Sequence, residues 1–127
     1  MDWRHFCPGS CRRGEPIFGT LCKVITFRSG KDLDLDQVID LYRVSTLGAR
    51  RPVDNRETMR KMVENADLIV TAWDEKRLVG IARTLTDFAY VAYLADLAVD
   101  QNYQNSGIGK QLIDETRNRL EPGCMIT

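Results

Sequence analysis

The residues best placed to do chemistry lie in a polar turn at 100–109, which contains Gly107 and Gly109. Residues 91–99 before it are almost all apolar and predict a strand buried on both faces. The residues after it place one apolar face on a helix: Ile108, Leu112, Ile113, Thr116 and Leu120. Such a turn presents backbone N–H groups at a helix N-terminus, and glycine lets a ligand come close to them. The sequence therefore predicts an anion site, with phosphate as the ligand that fits it best.

Two common phosphate-binding loops do not fit the spacing. A Walker-type loop needs a glycine five residues before the glycine of its Gly-Lys-Ser/Thr. That position is Gln104 here, and Lys110 is followed by Gln111 instead of a hydroxyl residue. The dinucleotide fingerprint needs a third glycine or alanine where this chain has Leu112. Both classes of nucleotide site are therefore excluded.

The pattern Gln104-x-x-Gly107-x-Gly109 fits a third class of site. It follows Leu-Ala-Val-Asp at 97–100 and precedes the amphipathic helix. This arrangement resembles the signature of the GNAT superfamily of acyl-CoA-dependent N-acyltransferases, in which the turn binds the pyrophosphate of coenzyme A. The alternative is an ordinary strand-to-helix turn whose glycines serve geometry alone.

The resemblance covers residues 23–127 and implies acetyl-CoA as co-substrate, with direct attack of a primary amine on its thioester. It also implies which residues hold the co-substrate. Backbone groups of the strand would bind the pantetheine arm: Leu97, Ala98 and Val99. Backbone N–H groups of the turn would bind the pyrophosphate: Gln104, Asn105, Ser106, Gly107, Ile108, Gly109 and Lys110. Lys110 would add charge, or be an ordinary solvated helix residue.

Asp96 is the candidate general base, because it is a carboxylate inside an apolar strand beside the expected thioester site. Burial raises the pKa of a carboxyl group, which suits a base near neutral pH. Two alternatives stay open for Asp96: contact with a cationic amine substrate, or a structural hydrogen bond. Tyr93 is expected to line the acceptor cleft or to pack in the core. Tyr42 and Arg43 are expected to border the acceptor site or to have packing and solvated roles.

The remaining pattern predicts one mixed α/β (α+β) domain in the order β-α-α-β-β-β-α-β, with a mostly antiparallel sheet flanked by helices. Alternation and β-branched residues indicate a first strand at 21–28. Helical spacing indicates a helix from Asp32 or Asp34 to about Ser45, and a second from a capping box at 54–57 to about Asn65. Runs at 68–73 and 78–86, joined by four polar residues, predict a hairpin.

Composition limits the function further. The chain has 127 residues, 43% of them apolar, and a formal net charge of zero. One domain is expected, and a general nucleic-acid or membrane-surface binder is not, because such proteins carry an excess of basic residues. The sequence shows neither a membrane span nor the apolar core of a signal peptide, so the cytoplasm is the expected compartment.

Residues 1–20 have no usable period, and we expect them to form an irregular or disordered arm before a domain at 21–127. Three of the four cysteines lie near this arm: Cys7, Cys11 and Cys22. Together with His5 they could form a zinc site, but their spacing matches no standard one, so free thiols and no metal are expected.

Residues 121–127 predict the loop and first residues of a fifth strand. The family normally continues with more of that strand, a helix and further strands, which often include a tyrosine that protonates the leaving thiolate. A sheet with an open edge is prone to association, so pairing with a second copy, cover by residues 1–20, or low stability are the expectations. Three functions remain open: an N-acetyltransferase acting on a small-molecule or peptide amine, a non-catalytic acyl-CoA-binding module, and an inactive remnant acting through dimerisation.

Overall fold

In the computed structural model, residues 24–127 are described, and they form one five-stranded sheet with α-helices on both faces. The strands are β1 (Ile25–Ser29), β2 (Leu68–Asp74), β3 (Arg77–Thr86), β4 (Val91–Val99) and β5 (Met125–Ile126). The α-helices of this part of the chain are α1 (Leu35–Val44), α2 (Arg56–Glu64) and α3 (Ile108–Asn118). The strands lie side by side in chain order; β1 to β4 are antiparallel, and β5 is parallel to β4. The predicted fold class and element order are confirmed.

The sheet divides the core into two layers. One layer packs α3, through Leu112 among others, against apolar side chains of the strands, including Val70 and Val79. The other packs α1 and α2 against the opposite face, with Tyr42 and Ile81 among its buried members. Side chains of a strand alternate between faces, so β2, β3 and β4 each contribute to both layers.

The helix starts are set by side-chain caps. Asp34, one of the two predicted alternatives, caps α1 by accepting a backbone N–H of its first turn at 3.0 Å. The start of α2 lies one residue later than the predicted box suggests. Its cap is Asn55, which accepts the N–H of Thr58 at 3.1 Å, whereas the carboxylate of Asp54 pairs with Arg43.

Four boundaries differ from the predictions. β1 begins at Ile25, and residues 21–23, like the predicted arm at 1–20, lie outside the described residues. The β2–β3 loop is shorter than predicted because Asp74 pairs with Arg77 in the ladder. α1 ends at Val44. α3 ends at Asn118, so Leu120 lies beyond the helix, although its side chain is buried.

β4 was expected to be buried on both faces, and this expectation is wrong. Val91 is 42% exposed and Tyr93 is 54% exposed. The reason is that α1 and α2 cover only part of their face of the sheet. Residues near the start of β4 extend past them into solvent.

A β-bulge interrupts the β3–β4 ladder. Arg83 pairs with Asp96, but the next pair is Thr84 with Leu94, so Ala95 is an extra residue in β4. A bulge shifts the alternation of side chains along its strand. Ala92 and Leu94 consequently share the α3 face with Leu97 and Val99, whereas Asp96 lies on the face of α1 and α2.

Candidate functional site

The turn after β4 is held by buried polar contacts. Asp100 is 1% exposed and caps a short 3₁₀ helix at Gln101–Tyr103 by accepting the N–H of Asn102 at 2.9 Å. It also accepts a hydrogen bond from Arg77 at 2.8 Å. The Tyr103 hydroxyl donates to Asp74 at 2.6 Å. These contacts fasten the turn to the end of the β2–β3 hairpin and fix the direction in which it enters α3.

Gly107 starts α3 in a backbone conformation that favours glycine. Its φ is +85°, in the left-handed region, and no side chain caps the helix there. The first helical bond runs from the N–H of Gln111 to the carbonyl of Gly107 at 3.0 Å. Asn105 also has a positive φ, +65°, which asparagine tolerates better than most residues.

The backbone N–H groups of residues 105–110 donate to no protein acceptor among residues 24–127. At a helix N-terminus such donors are satisfied by a capping side chain, by water or by a bound anion. The helix dipole adds a partial positive charge at the same point. The anion site predicted from the glycine spacing would use these donors.

A groove of about 250 Å³ runs from this turn along β4. It is lined by Thr46, Leu97, Val99, Tyr103, Gln104, Asn105, Gly107, Ile108 and Gly109. A Cβ added at Gly109 would lie 3.9 Å from side-chain atoms of both Leu97 and Val99. The missing side chain thus keeps the groove open between the helix and the strand.

The second half of β4 has no strand beside it on the groove side in residues 24–127, and there the carbonyl of Val99 accepts a hydrogen bond from Nε2 of Gln104 at 3.2 Å. The N–H of Asp100 donates to Val79 of β3 at 2.9 Å. Alternate residues of an antiparallel strand turn their backbone groups to the same neighbour, so those of Leu97 and Val99 point away from β3. On that side β5 pairs only with Val91 and Ala92 within the described part of the chain.

Gly80 allows α3 to approach the sheet closely. A Cβ at this position would lie 3.0 Å from Leu112, 3.2 Å from Ile108 and 3.3 Å from Ala72. Contacts this short are tighter than packed side chains allow. The glycine on β3 therefore lets the first turn of α3, with its N–H groups, lie close against the sheet.

Seven of the ten residues predicted to hold the co-substrate line the groove, and three do not. Ala98 has its side chain buried against α1 and α2 on the opposite face, because the strand alternates. The Ser106 hydroxyl donates to the carbonyl of Tyr103, so this residue offers only its N–H. Lys110 is exposed and pairs with Asp114 at 3.1 Å. This contact favours the solvated alternative for its side chain.

Asp96 is the centre of a buried cluster on the other face of the sheet. It is 2% exposed. Its Oδ1 accepts from the Nε of Arg51 at 2.7 Å, and its Oδ2 accepts from the Nε of Arg83 at 2.6 Å and the hydroxyl of Tyr42 at 2.7 Å. The carboxylate is thus hydrogen-bonded at both oxygens.

These contacts reverse the expected electrostatics of Asp96. Burial by itself raises the pKa of this carboxyl group, but hydrogen bonds from Arg83, Tyr42 and Arg51 and the charge of Arg83 outweigh it and hold the pKa below its usual range. The prediction of a raised pKa is therefore wrong. The same cluster raises the pKa of Tyr42 strongly, first through burial and then through the charge of Asp96, so Tyr42 stays a neutral donor.

The two tyrosines predicted near the acceptor have opposite positions. Tyr42 is 1% exposed and its hydroxyl donates a hydrogen bond to Asp96, so it has no exposed surface with which to border an acceptor. Its burial and this hydrogen bond correspond to the packing role that was its alternative. Tyr93 is 54% exposed, and the alternative that it packs in the core is wrong. Arg43 pairs with Asp54 and donates to the carbonyl of Val53.

Arg51 and Arg83 are the residues that the sequence analysis missed. Arg83 is a charge in an otherwise apolar strand, the same signal that drew attention to Asp96, and pairing the two could have been considered. Arg51 lies in a loop, where an arginine carries no such signal. It donates to the carbonyls of Arg50 and Ala95 as well as to Asp96, and so ties the α1–α2 loop to the β4 bulge.

The geometry agrees with comparisons to known proteins. Residues 44–124 match the family model described as Acetyltransferase (GNAT) domain. Histone acetyltransferase TAP1 of Glycine max is 45% identical over a match that covers 76% of this chain and 45% of the relative. The chain spans less than half the length of the Glycine max relatives that it matches.

Solved structures share the fold. A GNAT family protein, SP0256 from Streptococcus pneumoniae, superposes with a TM-score of 0.67 at 24% identity, covering 80% of this chain and 72% of the other. An aminoglycoside 6'-N-acetyltransferase complexed with coenzyme A gives a TM-score of 0.60 at 21% identity, covering 74% and 56%. At these identities the likeness concerns the fold.

Proposed function

The chain belongs to the GNAT acetyltransferase family, and from this premise we propose that it transfers an acetyl group from acetyl-CoA to a primary amine by direct attack. The observation that carries the proposal is the set of N–H groups at residues 105–110, which donate to no acceptor in the described part of the chain and lie at the start of α3. A diphosphate supplies several anionic oxygens to such a set. The groove that leads from this turn along β4 gives the rest of the co-substrate a path.

The residues present fit acetyl-CoA, which supplies an activated acetyl group when it is bound. The turn would hold the diphosphate through the N–H groups of residues 105–110. The backbone edge at Leu97 and Val99 would hold the pantetheine arm as an extra strand would be held. Gly109 leaves room for it. Binding both substrates in a fixed orientation supplies much of the rate of such a transfer.

Asp96 has a positioning role in this proposal. Both of its oxygens accept hydrogen bonds, and its pKa is lowered, so it is a poor acceptor for the proton of an attacking ammonium. It holds Arg51, Arg83 and Tyr42 in place beside the bulge. Solvent water reaching the open face takes the proton, and Tyr93 on that face contacts the acceptor.

Calorimetric titration with coenzyme A tests the binding step. Gly109→Ala should keep the fold, because the new Cβ meets its nearest neighbours at ordinary contact distance, 3.9 Å. It should weaken coenzyme A binding about tenfold or more, because the methyl group enters the groove. Asn118→Ala, at the exposed far end of the same helix, is the matched control and should bind as the parent chain does. A parent chain that binds no coenzyme A would contradict the proposal and indicate an inactive remnant.

Thiol release from acetyl-CoA with a panel of primary amines tests the transfer. Release that depends on the amine, with the acetylated amine identified by mass spectrometry, is the expected result. Coenzyme A binding without any release would identify a non-catalytic acyl-CoA-binding module instead.

We also infer that two copies pair along the outer edge of β5, away from the part of β4 that would hold the pantetheine arm. Support comes from this terminal strand, whose outer edge no strand covers in residues 24–127, and from exposed apolar side chains at Val91 and Met125 beside it. Light scattering after size exclusion should give the mass of a dimer. A monomer at micromolar concentration would contradict this inference.

No helix of residues 24–127 has the length and apolar character that crossing a bilayer requires. The cytoplasmic location and the domain bounds at 21–127 stay predictions from the sequence. Cys124 is a free, buried thiol, whereas Cys7, Cys11, Cys22 and His5 lie outside the described residues. Among residues 24–127, no group of three or more His, Cys, Asp or Glu side chains is arranged to hold a metal ion.

A further inference from the structure

Two guanidinium groups share one carboxylate on the α1–α2 face of the sheet. Arg51 and Arg83 both bind Asp96, which is the only carboxylate that either contacts in residues 24–127. Tyr42, the fourth member, is neutral because its pKa is raised. The cluster therefore carries one uncompensated positive charge. Each arginine also has more N–H donors than its described hydrogen bonds use.

The cluster lies where the covered part of this face meets the open part. The side chain of Arg51 is 27% exposed and that of Arg83 is 13% exposed, so both reach solvent at this boundary. Leu85, two residues after Arg83, projects from the same face and pairs across the ladder with Tyr93. These two apolar side chains are 39% and 54% exposed. Together they form an open floor next to the guanidinium groups.

Other charges near this floor do not cancel the positive charge. Arg50, beside Arg51, is exposed and adds a second cation. Asp67 immediately precedes β2 at the end of the sheet, and its carboxylate accepts a hydrogen bond from the N–H of Thr86 at 2.9 Å. Asp54 is engaged by Arg43.

We propose that the amine acceptor of this chain carries an anionic group, a carboxylate in its simplest form, which binds Arg83 and Arg51 while Leu85 and Tyr93 contact an apolar or aromatic body. The inference rests on the proposed acetyl transfer and specifies its substrate class. A carboxylate matches the planar donors of a guanidinium and forms charge-assisted hydrogen bonds with it. The Arg51 contact with the Ala95 carbonyl places this anion site beside the bulge of β4.

The same charges disfavour cationic acceptors. Asp96 could have bound the extra ammonium of a polyamine or a lysine-rich peptide, but two arginines already neutralise it. A second positive charge on the acceptor would meet the uncompensated charge of the cluster, and like charges at short range oppose binding. Amino acids and other aminocarboxylates are therefore the expected class, in preference to polyamines.

Matched acceptor pairs test the proposal with the unaltered chain. Phenylalanine is compared with phenethylamine, and 4-(aminomethyl)benzoate with benzylamine, at equal concentrations of unprotonated amine. Each pair differs by one carboxylate, at two distances from the amine. In at least one pair, the carboxylate should raise kcat/KM about tenfold or more. Equal values in both pairs, or faster transfer to spermidine or to a lysine-rich peptide, would overturn the inference while leaving the acetyl transfer itself intact.

Binding of an anion that has no amine gives a readout that does not need catalysis. We expect 3-phenylpropionate to bind the coenzyme A-saturated chain, and to compete with the acceptor, about tenfold more tightly than 3-phenylpropanol does. Calorimetry or NMR titration measures this even if no amine is acetylated. No difference between the two ligands would refute the anion site.

Arg83→Gln removes one guanidinium group and should abolish the preference for the carboxylate in each assay, whereas Arg83→Lys should restore part of it. Coenzyme A affinity close to the parent value would verify that both variants are folded. Arg56→Gln removes a charge from an exposed ion pair with Asp36 and serves as the control for long-range electrostatics. A carboxylate preference that persists in folded Arg83→Gln would contradict the assignment.

Discussion

Replacing Asp96 with asparagine removes the negative charge between Arg51 and Arg83 and keeps the size of the side chain. The Asp96 side chain is 1% exposed and accepts three hydrogen bonds, from the two guanidinium groups and the Tyr42 hydroxyl. Breaking a buried ion pair by removing one partner costs about 3–5 kcal/mol, since the other charge is left buried and unpaired. For a chain of this size that loss lowers Tm by roughly 10–20 °C.

The effect has a defined pH dependence. The pKa of Asp96 is lower in the folded chain than in the unfolded one, because Arg83, Tyr42 and Arg51 together outweigh the cost of burial. A carboxylate of this kind contributes stability above its unfolded pKa of about 4, and the contribution is lost as pH falls through the lower folded pKa. The free energy of unfolding of Asp96→Asn should therefore lie below that of the parent by a constant amount from about pH 5 to 7. The gap should narrow below about pH 4.

Urea unfolding of both chains at several pH values measures this gap. Asp54→Asn is the matched control, because Asp54 is 94% exposed in its pair with Arg43 and such pairs contribute little. If Asp96 instead had a raised pKa and acted as the base, the gap would widen as pH falls from 7 towards 4. A gap that widens in this way, or an Asp96→Asn chain of parental stability that has lost turnover, would refute the reasoning.

Two further predictions concern the elements that position the site. Gly80→Ala should lower the free energy of unfolding by about 1–3 kcal/mol and also weaken coenzyme A binding, because its Cβ would lie 3.0 Å from Leu112 and push the start of α3 outward. Urea unfolding measures the stability and calorimetry measures the affinity. An unchanged affinity would contradict the inference that Gly80 positions the start of α3. Asp87→Asn should speed amide hydrogen exchange at residues 89–91, because Oδ1 of Asp87 accepts all three of those N–H groups, which lower its pKa. In the parent chain the same exchange should rise only when pH falls below about 4, after correction for intrinsic rates, since this carboxylate orders the turn in its charged form.

Much of this fold follows from local patterns in the chain. The 3.6-residue period of α1 and α2, the caps near their starts, and the β-branched runs at 68–86 each specify an element without reference to the rest of the molecule. The glycine spacing at 107 and 109 specifies the turn before α3 in the same local way, and the anion site proposed there depends on it. The left-handed φ of Gly107 and the space beside Gly109 are the structural roles of these two glycines.

The charge cluster could not be derived in this way. Asp96 and Arg83 are 13 residues apart, and Arg51 is 45 residues from Asp96. Whether a carboxylate in an apolar strand has a raised or a lowered pKa depends on partners that only the register and the α1–α2 loop bring to it. Sequence reasoning saw the burial of Asp96 and not its partners, so it assigned the wrong direction to the pKa.

The bulge at Ala95 determines which side chains of β4 lie on each face of the sheet. In an uninterrupted strand, Tyr93 would share a face with Leu97 and Val99, and would project beside the groove of the anion site. The extra residue moves Tyr93 onto the face of Asp96 and Arg83. One strand thus carries the proposed co-substrate edge beside α3 and the proposed acceptor floor on its opposite face. Because Arg51 donates to the Ala95 carbonyl at 3.3 Å, the loop that carries it also stabilises the bulge on which this division depends.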